Sequence, residues 1–191
     1  MLPVDGHVNP WRTLATRPVY RNDWISVRED RVLRPDGSPG IYGVVTTALA
    51  VGVVAITDDD EVVLVGQWRY TLDAYSWEIV EGGAHDGEDD LAAAQRELAE
   101  EAGYTADSWQ RLGGPLAISN SVTDERAQLW VARGLTPVPR APDPTEDIEV
   151  RHLAVDDALA SVDDGTITDV ITIVGLLAYD RLRRTRRARS R

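Results

Sequence analysis

Residues 82–104 read GGAHDGEDDLAAAQRELAEEAGY, and every other inference from the sequence starts at this segment. It fits the spacing Gly-x5-Glu-x7-Arg-Glu-Leu-x-Glu-Glu-x-Gly-aromatic. The fixed places are filled by Gly82, Glu88, Arg96, Glu97, Leu98, Glu100, Glu101, Gly103 and Tyr104. Each fixed residue type occurs at roughly 5–10% in ordinary proteins, so chance would produce the set about once in 10⁸ starting points. The spacing is therefore a specific signal.

The same residues predict a helix with an acidic face. An aspartate in the DGEDD run is the candidate N-cap, the Leu-Ala-Ala-Ala run favours a helix, and Gly103 is placed to end it. Glu97 and Glu101 are four residues apart, so their carboxylates share one face, and Glu100 flanks it. Adjacent carboxylates repel each other, and they favour a hard divalent cation, Mg²⁺ or Mn²⁺.

Arg96 is placed to orient one of these carboxylates, and Glu88 is its expected partner. The alternative interpretation is a solvated acidic helix face, which is the usual role of a run of charges. The full spacing favours metal binding over that alternative.

This spacing is the Nudix box, and the chain resembles Nudix hydrolases. Over most of its length it is similar to ADP-ribose pyrophosphatases and their nucleoside-diphosphate-sugar relatives. The resemblance is carried by VYRNDWISVREDRVLRPDG near the N-terminus, QWR at 67–69, WEIVEGG at 77–83 and DGTITD at 164–169. It implies an α+β fold, in which an α/β/α sandwich surrounds a mixed sheet and follows an N-terminal antiparallel β subdomain.

The resemblance and the local patterns together predict three segments. Residues 1–48 form the β subdomain, which serves dimerisation and contacts the substrate base. Residues 49–184 form the Nudix hydrolase domain, and residues 185–191 form a disordered, Arg-rich tail. Alternation and turn signals predict strands at 24–33, 41–47, 49–57, 61–70, 77–80, 109–119, 126–132 and 146–153, and later helices at 155–161 and 168–184.

The resemblance also implies metal ligands and a general base. The ligands are the backbone carbonyl of Glu81 and the side chains of Glu97, Glu100 and Glu101. Glu100 and Arg96 are counted with the catalytic residues as well. The loop SNSVTDE at 119–125 would supply Glu125 to take a proton from the attacking water. The alternative for Glu125 is an exposed loop acid.

Three further residues are expected to bind substrate. Arg69 would hold a phosphate or ribose, because its fork binds two oxygens at once; the alternative is a strand-end salt bridge. Trp11 and Trp24 would stack a base, and the alternative is that they pack in the core.

The predicted activity is Mg²⁺-dependent hydrolysis of ADP-ribose, or a similar nucleoside diphosphate sugar, to a nucleoside monophosphate and a sugar phosphate. ADP-ribose pyrophosphatases commonly have Pro 16 residues after the box, where this chain has Asn120, so the physiological substrate stays open. The alternatives are a housecleaning hydrolase of oxidised nucleoside phosphates and a nucleotide-sensing module without catalysis.

Composition narrows the class of protein. The 191 residues contain no cysteine, which excludes disulfides and thiolate metal sites. A net charge of −12 argues against broad nucleic-acid binding, although the last eleven residues carry seven Arg. Residues 41–57 are uncharged but Val-rich, and two strands explain them better than a membrane span. We expect the protein to be cytoplasmic. We also expect a homodimer, because the N-terminal hairpin has little reason to be stable alone.

Overall fold

A computed structural model describes residues 6–189, except for the side chain of Arg189. The chain divides into two compact units. The first holds the described residues up to Thr47 together with Ser119–Glu125, and the second holds Ala48–Ile118 and the described residues from Arg126 onward. The predicted division at 48 did not include the loop at 119–125 in the first unit.

The first unit is an antiparallel sheet of three strands in the order β1-β2-β3. The strands are β1 (Arg12–Arg21), β2 (Ile25–Leu33) and β3 (Pro39–Thr47). The β2–β3 hairpin confirms the strands predicted there, whereas β1 was not predicted. The loop at 119–125 joins this unit through backbone hydrogen bonds of Val45, which donates to Val122 O at 3.0 Å and accepts from Asp124 N at 3.1 Å.

The second unit contains two further sheets. Its strands are β4 (Ala50–Ala55), β5 (Glu61–Arg69), β6 (Ala74–Glu78), β7 (Val80–Gly83), β8 (Tyr104–Ala117), β9 (Arg126–Pro137) and β10 (Glu149–Ala154). Their orders are β7-β4-β9-β8 and β10-β5-β6. The pair β4–β9 is parallel and its neighbours are antiparallel, so the larger sheet is mixed.

The single strand predicted at 77–80 is wrong. The chain changes sheet at Ile79: Glu78 pairs with Val65 in one sheet, and Val80 pairs with Val53 in the other. The strand predicted at 146–153 begins only at Glu149, so residues 146–148 lie before it.

Three α-helices complete the second unit: α1 (Asp90–Glu97), α2 (Val155–Asp163) and α3 (Val170–Arg189). Asp89 caps α1 by accepting from the Leu91 amide at 3.0 Å, as an aspartate N-cap does. A π-helical turn, Leu98–Ala102, extends α1, and Gly103 ends it at φ 75°. The expectation of disorder from residue 185 is wrong as far as Arg189, which is helical; residues 190 and 191 lie outside the described part.

Apolar side chains pack on both faces of the mixed sheet, which confirms the predicted sandwich. Alternation along β4 sends Val53 towards the box helix, where Leu98 is fully buried, and Val54 towards α3, where Leu176 is fully buried. Burial of each such side chain contributes about 2 kcal/mol. Among residues 6–189, no helix is both long and apolar enough to span a bilayer.

Candidate active site

Arg96 lies at the centre of the box. Its Nε and Nη2 donate to the two carboxylate oxygens of Glu88, each at 3.0 Å, and Nη2 also donates to Gly83 O at 2.9 Å. Its Nη1 donates to Glu97 at 2.7 Å and to Glu100 at 3.1 Å. One guanidinium therefore ties the loop before α1 to the acidic face of the helix, as the sequence predicted for Arg96 and Glu88.

Glu88 holds this loop from the other side. Its carboxylate also accepts from the His85 amide at 2.8 Å. The hydrogen bonds from Arg96, followed by that of the His85 amide, lower the pKa of Glu88 to about 2. Glu88 is therefore ionised at neutral pH and serves as an anchor for Arg96.

Gly82 allows the box helix to approach strand β7 closely. A Cβ at this position would lie 2.0 Å from the carboxyl carbon of Glu97, so any larger residue would displace that carboxylate. Glu97 is mostly withdrawn from water, and this burial is the main reason why its pKa is raised. The first glycine of the box is thus required by the position of a carboxylate.

Glu101 is the most deeply buried carboxylate of the box, with 3% of its surface exposed. Its Oε2 accepts from the Glu81 amide at 3.3 Å. Burial first, and then repulsion by Glu97 and Glu146, raise the pKa of Glu101 to about 8. An acid in this condition gains from a nearby cation, which would favour its charged form.

A cavity of about 430 Å³ opens over these carboxylates. It is lined by His85, Arg96, Glu97, Glu100, Glu101, Ala141, Pro142, Asp143, Pro144 and Glu146. The sequence analysis missed Glu146 and Asp143, because the loop after β9 carried no signal beyond its proline content. The only sequence feature that pointed to a site there was an acidic residue, Glu146, close to the PVPRAPDP run.

Backbone and Arg140 contacts hold this loop on the end of the box helix. The Ala141 amide donates to Glu100 O at 3.2 Å, and Arg140 Nε donates to Glu101 O at 2.7 Å. Arg140 Nη2 donates to Ile148 O at 2.9 Å, at the far end of the loop. These bonds bring Glu146 to the cavity although it lies 45 residues after Glu101 in sequence.

The donor set of the cavity fits a divalent cation that prefers oxygen. The side chains of Glu97, Glu100 and Glu101 offer carboxylate oxygens, and the buried carboxyl of Glu101 accepts from the Glu81 amide. Within residues 6–189, no three acidic or imidazole side chains already converge as an ion site. Arg96 contacts one oxygen of Glu97 and one of Glu100, so it orients both carboxylates at the cavity.

Arg69 forms a partly buried ion pair with Glu78 on the neighbouring hairpin, and its own side chain is 37% exposed. Its Nε lies 2.9 and 3.1 Å from the two oxygens of Glu78, and Nη2 also donates to Glu78. Glu78 is 2% exposed, and its hydrogen bonds are the main reason why the pKa of Arg69 is raised. The salt bridge named as the alternative is present, while substrate contact by Arg69 stays a prediction.

The remaining predicted site residues lie in the first unit. Trp11 packs edge-on against Tyr42, with ring centroids 5.5 Å apart, and is 38% exposed. Trp24 is 78% exposed, so the alternative of core packing is wrong for this side chain. Glu125 ends the loop at 119–125, where its amide donates to the Thr123 hydroxyl at 3.4 Å. The carboxylates that line the cavity all belong to the second unit.

Comparison with known proteins places this site in a family. Residues 46–170 match the model of the NUDIX domain, and residues 11–45 match that of the nucleoside diphosphate sugar hydrolase N-terminal domain. A methanol dehydrogenase activator from Bacillus methanolicus is 31% identical, over 86% of this chain and 90% of its own length. An ADP-ribose pyrophosphatase from Mycobacterium tuberculosis (strain ATCC 25618 / H37Rv) is 30% identical, over 88% of this chain and 82% of its own length.

A solved structure described as an ADP compounds hydrolase has the same fold. It superposes with a TM-score of 0.84 over 94% of this chain and 97% of its own, at 21% identity. The family model, the relatives and the geometry of the box agree. The chain therefore belongs to the NUDIX family of hydrolases, with the N-terminal domain found in nucleoside diphosphate sugar hydrolases.

Proposed function

We propose that this hydrolase cleaves the diphosphate of ADP-ribose, or of a similar nucleoside diphosphate sugar, to a nucleoside monophosphate and a sugar phosphate. The observation that carries the proposal is the cavity lined by Glu97, Glu100, Glu101 and Glu146. The names of the Mycobacterium tuberculosis relative and of the N-terminal family model agree with it. Hydrolysis is proposed ahead of the activator role in the Bacillus methanolicus relative's name because it follows from a site on this chain.

Mg²⁺ is the proposed cation, held by Glu97, Glu100 and Glu101 with the backbone carbonyl of Glu81. Enzymes of this family generally use divalent cations, and Mn²⁺ has the same preference for oxygen. A cation at this place would neutralise charge on the diphosphate and lower the pKa of a nearby water. Arg96 and Glu88 hold the helix and the loop on either side of it.

Glu146 joins Glu125 as a candidate for the residue that deprotonates the water. It lines the cavity and raises the pKa of Glu101, so its charge acts within the site. We expect Glu146→Gln to lower kcat by about 100-fold or more, as loss of a general base does. Glu125→Gln is the matched variant, with an expected loss below about tenfold. If steady-state kinetics show a larger loss of kcat for Glu125→Gln than for Glu146→Gln, Glu125 is the general base.

Products identify the substrate and test the proposal. Purified enzyme is incubated with Mg²⁺ and ADP-ribose, UDP-glucose, GDP-mannose or 8-oxo-dGTP, and the liberated phosphates are separated by ion exchange. We expect ADP-ribose to give AMP and ribose 5-phosphate in equal amounts. Glu101→Gln should lower this rate by at least about 100-fold while the protein stays folded. Turnover of 8-oxo-dGTP alone would favour the housecleaning function, and binding without products would favour a sensor.

A homodimer is the proposed assembly, with Trp11 and Trp24 available to stack a base and Arg69 to hold a phosphate. All ten residues of β1 are exposed, including Leu14 at 45%, Val19 at 53% and Tyr20 at 54%. Exposed apolar side chains along one strand are typical of an interface. Light scattering should give twice the 21.0 kDa chain mass, and a species of 21.0 kDa alone would contradict the dimer.

A further inference from the structure

The side chain of Glu81 has no part in the proposed hydrolysis, where only its backbone is used. Side chains alternate between the two faces of β7, which places the Glu81 side chain on the face away from the box. Val80 packs towards the box helix, and Gly82 faces Glu97 on that same side. The Glu81 side chain therefore points to the other face of the sheet, where α3 begins.

Thr172, in the first turn of α3, receives this side chain. Its hydroxyl donates to Glu81 Oε1 at 3.0 Å and accepts from the Ile79 amide at 3.0 Å. Thr172 is fully buried, and its amide donates to Asp169 Oδ2 at 2.7 Å. One threonine thus holds the segment where the chain passes from β6 to β7 at two points.

Asp169 completes the arrangement. Withdrawal of the Glu81 carboxyl from water, followed by the charge of Asp169 and a hydrogen bond with it, raises the pKa of Glu81 well above its ordinary value. Asp169 is therefore a second hydrogen-bond partner of the Glu81 carboxyl, beside Thr172.

The backbone of Glu81 meets the box on the opposite side. Its amide donates to the buried carboxylate of Glu101 at 3.3 Å. Glu81 therefore connects the start of α3 to the deepest carboxylate of the active site through a single residue. A leucine or methionine would fill the same space without the cost of withdrawing an acid from water. The acid is therefore explained by the hydrogen bonds that it forms and not by the space that it fills.

We propose that Glu81 and Thr172 are positioning residues, which hold the Glu81 peptide against Glu101 so that its carbonyl and the box carboxylates bind the cation together. The inference deepens the proposed function and rests on it. Groups that orient ligands in this way change metal affinity by roughly 10- to 100-fold when they are lost.

Binding of Mn²⁺ alone, measured by isothermal titration calorimetry without substrate, tests this role. Glu81→Met keeps the volume and loses the hydrogen bonds, and Thr172→Val keeps the shape and loses the hydroxyl. We expect each to weaken Mn²⁺ binding by about 10-fold or more. Glu81→Gln keeps a donor and an acceptor at the same places, and it should bind Mn²⁺ within about threefold of the unaltered protein. Thermal unfolding in the same buffer shows whether each variant is folded.

Thr185→Val is the matched control in the same helix, since Thr185 is exposed and its hydroxyl donates to Arg181 O. It should bind Mn²⁺ like the unaltered protein. A folded Glu81→Met variant with unchanged Mn²⁺ affinity overturns the positioning role and leaves the proposed hydrolysis standing. If Glu101→Gln also binds Mn²⁺ unchanged, the cation is held elsewhere and both proposals fail.

Discussion

Arg96 shows why one residue type is needed at one position of the box. Its fork donates to Glu88, Gly83, Glu97 and Glu100 at the same time. A lysine has three donors around a single point and cannot reproduce the planar geometry. The arginine therefore fixes the loop and the helix relative to each other, and it places two carboxylates at the cavity.

Arg96→Lys should affect stability and activity together. Loss of the fork leaves partly buried acceptors unsatisfied, and we expect the free energy of unfolding to fall by about 1–3 kcal/mol. We expect kcat to fall by about tenfold or more, because Glu97 and Glu100 lose their orientation. Urea unfolding and steady-state kinetics measure the two effects.

Arg111→Lys is the control for this substitution. Arg111 Nη2 donates to both oxygens of Asp90, at 2.9 and 2.7 Å, and Nη1 donates to Gln128 at 3.4 Å, so it is a second arginine that anchors the same helix. It does not line the cavity. We expect kcat to stay within about twofold. An equal loss of kcat in both lysine variants would show that helix stability, rather than carboxylate orientation, sets the rate.

At the scale of elements, the box helix and the loop after β9 form one structure. The π-helical turn at Leu98–Ala102 leaves the carbonyls of Glu100 and Glu101 to accept from the loop, through the Ala141 amide and Arg140. The helix end and the loop thus satisfy each other's backbone groups. The position of Glu146 at the cavity depends on the shape of this helix end.

Gly103→Ala tests that dependence. Gly103 has φ 75°, and an added Cβ would lie 2.6 Å from Arg140 Cγ and 3.1 Å from Val138 O. We expect a loss of about 3 kcal/mol in unfolding free energy, from backbone strain and overlap combined, together with lower kcat. Gly113→Ala is the matched control, because its φ is 67° and nothing lies within 4 Å of the added Cβ.

The control should lose about 1 kcal/mol, which is the cost of a left-handed conformation alone, and keep its kcat. Chemical denaturation and kinetics compare the two variants. Equal losses in both would mean that the contact between helix end and loop contributes nothing beyond backbone strain.

These elements also show what the sequence could predict. The box helix, its acidic face and the contact between Arg96 and Glu88 depend on residues at most a few turns apart, and the spacing predicted them. The change of sheet at Ile79 depends on Thr172, more than 90 positions later, which accepts from its amide. Glu146 reaches the cavity through bonds of Arg140 and Ala141 to the helix end. Periodicity carries no signal for such contacts.

Over the whole molecule, charge is distributed unevenly between the active site and the last helix. The net charge is −12, and the arginines of α3 neutralise acids away from the cavity. Arg183 is 7% exposed and contacts Asp60, Asp156 and Asp180. The hydrogen bond from Arg183 lowers the pKa of Asp156, whereas the pKa values of Glu81, Glu97 and Glu101 are raised. The acidic groups that oppose ionisation are therefore those nearest to the proposed cation.

This distribution predicts how stability depends on pH. The pKa of Glu101 is about 8 in the folded protein, against an ordinary value of 4.5, and those of Glu81 and Glu97 are raised as well. Between these pH values the folded state holds protons that the unfolded state has released. Metal-free protein should therefore lose stability as pH rises from about 5 to 8. The contribution of Glu88, whose pKa is lowered, is lost only as pH falls from 4.5 towards 2.

Thermal unfolding in EDTA measures this effect. We expect the midpoint to fall by about 5 °C or more between pH 5 and pH 8. Glu101→Gln should reduce this fall in the unfolding midpoint, because the glutamine side chain does not titrate between pH 5 and pH 8. Saturating Mg²⁺ should stabilise the unaltered protein most at pH 8, where binding needs no proton release, and should add little to Glu101→Gln. A midpoint that is unchanged or higher at pH 8 in EDTA would contradict the raised pKa values, and an equal effect of Mg²⁺ on both proteins would contradict Glu101 as a ligand.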